Sequence, residues 1–324
     1  MPKEVFAFRN NIKNIKNATS GGAFIALSEA FFKIHTGKKI HVYGTIYDQQ
    51  LNVCYDVAET VKDCFKFSGS KYVRSDITGI FERVKNDLSQ EYVVLFTGTP
   101  CYISALQKYL RKQDMSLNNL FSIDLICHGA PQPLYWKAYR EWLQNKYKST
   151  LVDFKFRTHG EGISGYTCSA TFENGKKLVN IPETQIYNRM FLRHYLFSDG
   201  CFKCPFANLD RTGDLTIGDF WGIQEVMPNY PYKEDVSEIL VNTFKGKQLM
   251  DVLIEMAPFM GYCISQCYSE DYVKYQNNLQ KPASKPINYD LFQKEFKDKG
   301  ISYVASKYAG YDILHRLKFF LSKK

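Results

Sequence analysis

Two cysteines three residues apart, Cys201 and Cys204, occupy a loop and are followed at once by Pro205. Thiolates bind soft metals, and a pair at this spacing can reach one ion or one face of a cluster. Proline after the last cysteine also closes the bacterial ferredoxin run. A pair supplies only half a coordination sphere, so two more ligands are needed. Cys101 and Cys127 are the candidates, because each sits at the C-terminal end of a strand-like apolar segment, YVVLF at 92–96 and NLFSIDLIC at 119–127. That edge of an open α/β sheet is where ligands bind. Cys54, Cys64 and Cys168 read as ordinary residues of strands or a helix. Cys263 and Cys267 have helical i,i+4 spacing and carry little information.

The same residues admit other chemistry. Four thiolates could hold a structural zinc, making the chain a non-enzymatic assembly or scaffolding partner in a biosynthetic complex. Zinc sites usually pair closely spaced ligands, however, and Cys101 and Cys127 are singletons. Cys101 at a helix start could instead be a nucleophile with His128 as its base, which leaves Cys201 and Cys204 unexplained. A thioredoxin-like pair is disfavoured, because the C-x-x-C follows a helix rather than opening one after a strand.

Three further loops suit a phosphate-bearing ligand. Ser20-Gly21-Gly22 places small residues and free backbone N–H groups at a helix start. Ser68-Gly69-Ser70-Lys71-Tyr72 adds hydroxyls, a cation and an aromatic ring. Gly218-Asp219-Phe220-Trp221-Gly222 sets an acid and two aromatics between glycines. There is no G-x-G-x-x-G and no Walker A, so a Rossmann or P-loop nucleotide site is not signalled.

Elements must position these loops. Residues 20–34 read as an amphipathic helix, 39–48 and 51–59 as a hairpin, 92–96 and 119–127 as buried strands, and 77–88 and 102–112 as helices. The alternation predicts an α/β core in the first half. The second half reads as α+β, with a hairpin turning at Asn174-Gly175, a helix at 185–197 and a mostly helical tail. The expected fold class is thus α/β (α+β in the second half): a mixed, largely parallel sheet flanked by helices, an antiparallel hairpin region and a helical C-terminal tail. A soft boundary divides an α/β core, 1–150, from an α+β part, 151–324, that carries the Cys-x-x-Cys-Pro loop; the two are expected to form one compact unit. The 324 residues are 45% hydrophobic and 23% charged, which rules out disorder as the main theme. No apolar run approaches a membrane span and no secretory signal is visible, so a cytoplasmic protein with reduced thiols is expected. With nine cysteines, an odd number, a disulfide framework is not expected.

The motifs occur in one order: Ser20-Gly21-Gly22, Gly69-Ser70-Lys71-Tyr72, Phe96-Thr97-Gly98-Thr99-Pro100-Cys101, Asp124-Leu125-Ile126-Cys127-His128-Gly129, and Cys201-x-x-Cys204-Pro205-Phe206-Ala207. Ile217-Gly218-Asp219-Phe220-Trp221-Gly222 and Val241-Asn242-Thr243 with Gly246 follow. Over about residues 18–255 the chain resembles the coenzyme F420 hydrogenase/dehydrogenase beta-subunit family in its bacterial branch. The resemblance implies an FAD-dependent oxidoreductase with one 4Fe–4S cluster. Cys101, Cys127, Cys201 and Cys204 match the cluster cysteines. Ser20, Gly21, Gly22, Ser70, Lys71 and Tyr72 match the flavin-contacting loops, with Asp219 near them; no catalytic residue is carried over. The two-cluster ferredoxin module of many relatives is not found, so a ferredoxin or other electron-carrier protein is expected to supply electrons. Tyr102 stands where relatives usually have Gln.

The resemblance also implies hydride exchange with a small-molecule substrate, with surface polysaccharide biosynthesis as one context. The net charge of +9, from 42 Lys and Arg against 33 Asp and Glu, suits an anionic flavin and an acidic carrier. No nucleic-acid motif accompanies it. The basic C-terminal segment 311–324 reads as an amphipathic helix packed on the core, with peripheral membrane contact the less favoured role.

Overall fold

A computed structural model describes residues 2–11, 18–160 and 163–311, without the side chains of 159–160 and 163–166. The basic segment beyond Tyr311 lies outside the described residues.

Eleven strands among the described residues form two sheets. β1 is Glu4–Arg9, β2 Ile40–Tyr47, β3 Val53–Ala58, β4 Val93–Gly98, β5 Leu120–Leu125, β6 Leu151–Gly160, β7 Ile163–Phe172, β8 Lys177–Val179, β9 Leu215–Asp219, β10 Ser237–Val241 and β11 Cys263–Cys267. The larger sheet has the order β11-β1-β10-β9-β5-β4-β2-β3. Its middle is parallel, β2 to β4, β4 to β5 and β5 to β9. Both ends are antiparallel: the expected β2–β3 hairpin on one side, and β9–β10, β10–β1 and β1–β11 on the other. Continuous apolar runs such as VVLF in β4 are what strands covered on both faces require.

Helices α1 (Ala23–Ile34) and α6 (Phe244–Met260) cover one face, where Leu27 and Phe31 share a core with Leu249, Met250 and Leu253. Helices α2 (Ile80–Ser89) and α3 (Pro100–Arg111) close a second layer over β2 and β4 through Val84, Ile103 and Leu106. The smaller sheet, β6-β7-β8, is antiparallel and turns at the predicted Asn174-Gly175, where Gly175 takes a φ of 81°. It packs with α4 (Pro133–Tyr147), α5 (Pro182–Leu192) and α7 (Tyr289–Ala309) around Trp136, Tyr139, Phe154, Phe156 and Tyr187.

The structure departs from the sequence reading at three strands. Cys263–Cys267 is strand β11 rather than a helical turn, because it hydrogen-bonds along β1 at the sheet edge. The tail expected to be mostly helical also contributes β10, whose five residues are all buried between β1 and β9. β1 itself was not anticipated; EVFAFR is too short to declare itself without its partners.

Candidate functional site

Where β2, β4, β5 and β9 end, a cavity of about 350 Å³ opens. Gly44 and Thr45, Thr97 to Thr99, Leu125 and Ile126, and Ile217 to Asp219 form its floor. The carboxyl edge of a parallel sheet is the expected place for a ligand. The segment before α1 and the loop 67–75 form its walls. Of the seven residues expected to bind a cofactor, Ser20, Gly22, Ser70, Lys71, Tyr72 and Asp219 line this one cavity. Gly21 does not. A Cβ there would meet the Phe8 carbonyl at 2.2 Å and the Ser237 amide at 2.4 Å, so this glycine lets the loop lie against β1 and β10.

Hydroxyls knit the walls together. Thr19 Oγ1 and Ser70 Oγ lie 2.8 Å apart, and Ser237 donates to Ser20 Oγ at 3.1 Å. The Tyr72 ring stacks on Phe191, with centroids 4.6 Å apart, while Tyr187 donates to the Tyr72 carbonyl. The Lys71 ammonium donates to the carbonyls of Phe67, Ser68 and Gly69 at 3.2–3.3 Å. Burial pulls it down to about 8, with no carboxylate to offset the desolvation. An anion in the cavity would therefore meet a lysine that discharges near pH 8. Phosphate or flavin affinity is expected to fall as pH rises from 7 to about 9, and Lys71→Met is expected to flatten that dependence. Titration by fluorescence or calorimetry checks this; parallel curves for the two proteins would refute it.

Asp219 is ion-paired with Arg157, Oδ2 to Nη1 at 2.7 Å. Arg157 comes from β6 of the other sheet and, like Arg74, carried no sequence signal. Lys71, Arg74 and Arg157 face one carboxylate, Asp219, so the lining favours an anionic occupant. Arg157 and Asp219 also border a second cavity of about 390 Å³ between the Trp221 loop and residues 233–236.

The four cysteines converge beside the first cavity. Cys101 lies in the first turn of α3, with Thr99 Oγ1 3.2 Å from its sulfur. Cys127 follows β5, and Cys201 and Cys204 flank the end of a 3₁₀ turn at Asp199–Lys203. Burial pushes the Cys127 thiol up to about 12, and Cys101, Cys201 and Cys204 push it the same way; the Gly129 amide opposes them. Burial, then Cys101 and Cys201, raise Cys204 as well. Raised thiols beside further sulfurs lose their protons more readily to a bound cation, which is the condition of a metal-binding donor set. Among the described residues, however, no three His, Cys, Asp or Glu side chains are gathered to hold a single metal ion.

A buried ion pair fixes the quartet's frame. Asp124 and Arg211, with side chains 0% and 1% exposed, meet at 2.8 Å. Arg211 also donates to the carbonyls of Phe206, Asn208 and Leu125, which ties the Cys204 loop to the strand that leads to Cys127. His128 does not serve Cys101. One ring nitrogen lies 3.0 Å from His194 Nε2 and the other 3.4 Å from Asn278, so the nucleophile–base reading loses its base. Burial, with His194, pushes His128 down to about 4. Tyr102 lines the cavity and donates to the Ser75 carbonyl at 2.7 Å.

The family model for the C-terminal region of the coenzyme F420 hydrogenase/dehydrogenase beta subunit matches residues 92–259. A chain in the xenon-derivatized structure of the F420-reducing NiFe hydrogenase complex from Methanosarcina barkeri aligns with a TM-score of 0.55. The alignment covers 92% of this chain and 93% of that one at 16% identity, a likeness of fold. No curated protein matches by sequence. Among the described residues, no helix is long and apolar enough to cross a membrane.

Proposed function

Because this chain belongs to the coenzyme F420 hydrogenase/dehydrogenase beta-subunit family, we propose that it is an iron–sulfur flavoprotein oxidoreductase. Membership makes it a relative of redox enzyme subunits; FAD and the 4Fe–4S cluster are what the resemblance implies, and the geometry of this chain's own residues supports them. The observation that carries them is adjacency. Thr99, Leu125, Ile126 and Ala130 line the cavity, and the same segments bear Cys101 and Cys127.

In this reading Cys101, Cys127, Cys201 and Cys204 would hold a 4Fe–4S cluster, which their all-thiol set and mutual proximity support. The cavity would hold FAD. Lys71 and Arg157, which line it, would meet the charge of its pyrophosphate. Together the two groups would supply exchange between hydride pairs and single electrons. The protein's own work is to hold them side by side and to present a substrate. The second cavity, bounded by the Arg157–Asp219 pair, offers room for a small molecule next to the first. A ferredoxin or another electron-carrier protein would exchange electrons with the cluster.

Anaerobic purification followed by metal and flavin quantitation tests this. The expected result is a brown-yellow protein with about four irons and about one flavin per chain. Colourless protein carrying zinc, or iron-containing protein with an empty flavin site after FAD addition, overturns it.

A further inference from the structure

Arg74 touches every part of the redox site. Its backbone amide donates to the Pro131 carbonyl at 2.8 Å, four residues past Cys127. Its guanidinium lies beside Tyr102, the neighbour of Cys101, and lowers that phenol's pKa against the larger effect of burial. Its Nη2 donates to Ser198 Oγ at 3.1 Å and lies 3.8 Å from the Cys201 sulfur. The same side chain lines the cavity.

We propose that Arg74 is a positioning residue that sets the reduction potential of the cysteine-held cluster from the wall of the cofactor cavity. This rests on the cluster reading above. One electron taken from the carrier protein adds one negative charge to the cluster, spread over its sulfurs. A fixed cation donating toward a ligand sulfur stabilises the reduced form more than the oxidised form, and so raises the potential. The other arginine at the quartet, Arg211, is neutralised by Asp124. Among the described residues the Arg74 guanidinium meets a hydroxyl, a phenol and a sulfur, so its charge acts on the sulfur undiluted. Planar guanidinium geometry lets one side chain serve Ser198 and Cys201 together, which an ammonium does less well.

The test is a mediator-coupled redox titration of the anaerobically purified full chain, followed by electron paramagnetic resonance, with iron and flavin counted in each sample. Arg74→Gln is expected to keep its iron and to titrate at a more negative potential than the wild type; Arg74→Lys is expected to fall between them. Full iron with an unmoved potential in Arg74→Gln overturns this role and leaves the cluster reading standing. A wild-type protein without iron overturns both. Should Arg74→Gln lose its iron, iron-loaded Arg74→Lys carries the test, and a potential there equal to the wild type's, or no variant that retains iron, overturns the proposal.

Discussion

Asp124→Asn is expected to destabilise the protein by about 3–5 kcal/mol and to lower the iron retained per chain. The magnitude follows from burial. Asp124 and Arg211 are among the most enclosed charges in the molecule, and removing one leaves the other unpaired in a low dielectric. Asp124 also spends its second oxygen on the protein backbone. Oδ2 accepts from the amides of Thr212 and Gly213 at 3.1 and 2.9 Å and from the Thr212 hydroxyl at 3.1 Å. Asn has one acceptor oxygen, which serves either these donors or Arg211, so one set of bonds is lost with the charge. The loss of iron follows from connectivity, since Arg211 carries the Phe206 and Asn208 carbonyls toward β5. Releasing it frees the Cys201–Cys204 loop from the strand that ends before Cys127. Denaturant unfolding and iron analysis read the two effects separately. The double variant Asp124→Asn with Arg211→Met is expected to lose less stability than the two single losses added, because the pair is replaced rather than broken. Stability within 1 kcal/mol of wild type in Asp124→Asn would sink the clamp.

The four cysteines could be chosen from nine by sequence because they obey a rule of the fold: two sit where parallel strands end and two sit in a short loop. Ser20, Ser70 and Lys71 were visible for a similar reason, as small and cationic residues in loops between periodic segments. Arg74 and Arg157 were not. In a chain with 42 lysines and arginines, one more arginine carries no spacing signal. Arg157 reaches Asp219 only because the β6–β7–β8 sheet packs beside the larger one, a relation 62 residues long in sequence. Gly21 is the reverse case. Its motif looked like part of a ligand cradle, yet its neighbours are the backbone of β1 and β10, and tight packing alone demands a glycine there. β10 and β11 escaped notice because five-residue strands reveal themselves through partners, not periodicity.

Glu238→Gln is expected to stabilise the protein at alkaline pH. Glu238 sits in β10 with no exposure, next to Ala7 of β1 and Gly218 of β9. Gln276 donates to its Oε2, while Oε1 has no partner among the described residues. Burial raises its carboxyl to about 8; the Gln276 hydrogen bond pulls the other way without matching it. In the unfolded chain the same group releases its proton near 4.5. Between those values the folded state binds more protons, so stability declines as pH climbs from about 4.5 to 8 and levels off above. Gln cannot ionise and escapes the decline. Between pH 4 and pH 9 the stability difference is expected to move in the variant's favour by roughly 5 kcal/mol. Thermal melts across that range measure it, and a gap that does not change with pH refutes it. The consequence extends to the cavity, because Gln276 donates both to Glu238 and to the backbone carbonyl of Asp219 at 2.7 Å. A charged Glu238 draws harder on the amide that steadies Asp219. The Arg157–Asp219 pair between the two cavities is therefore expected to loosen at high pH in the wild type and to hold in Glu238→Gln.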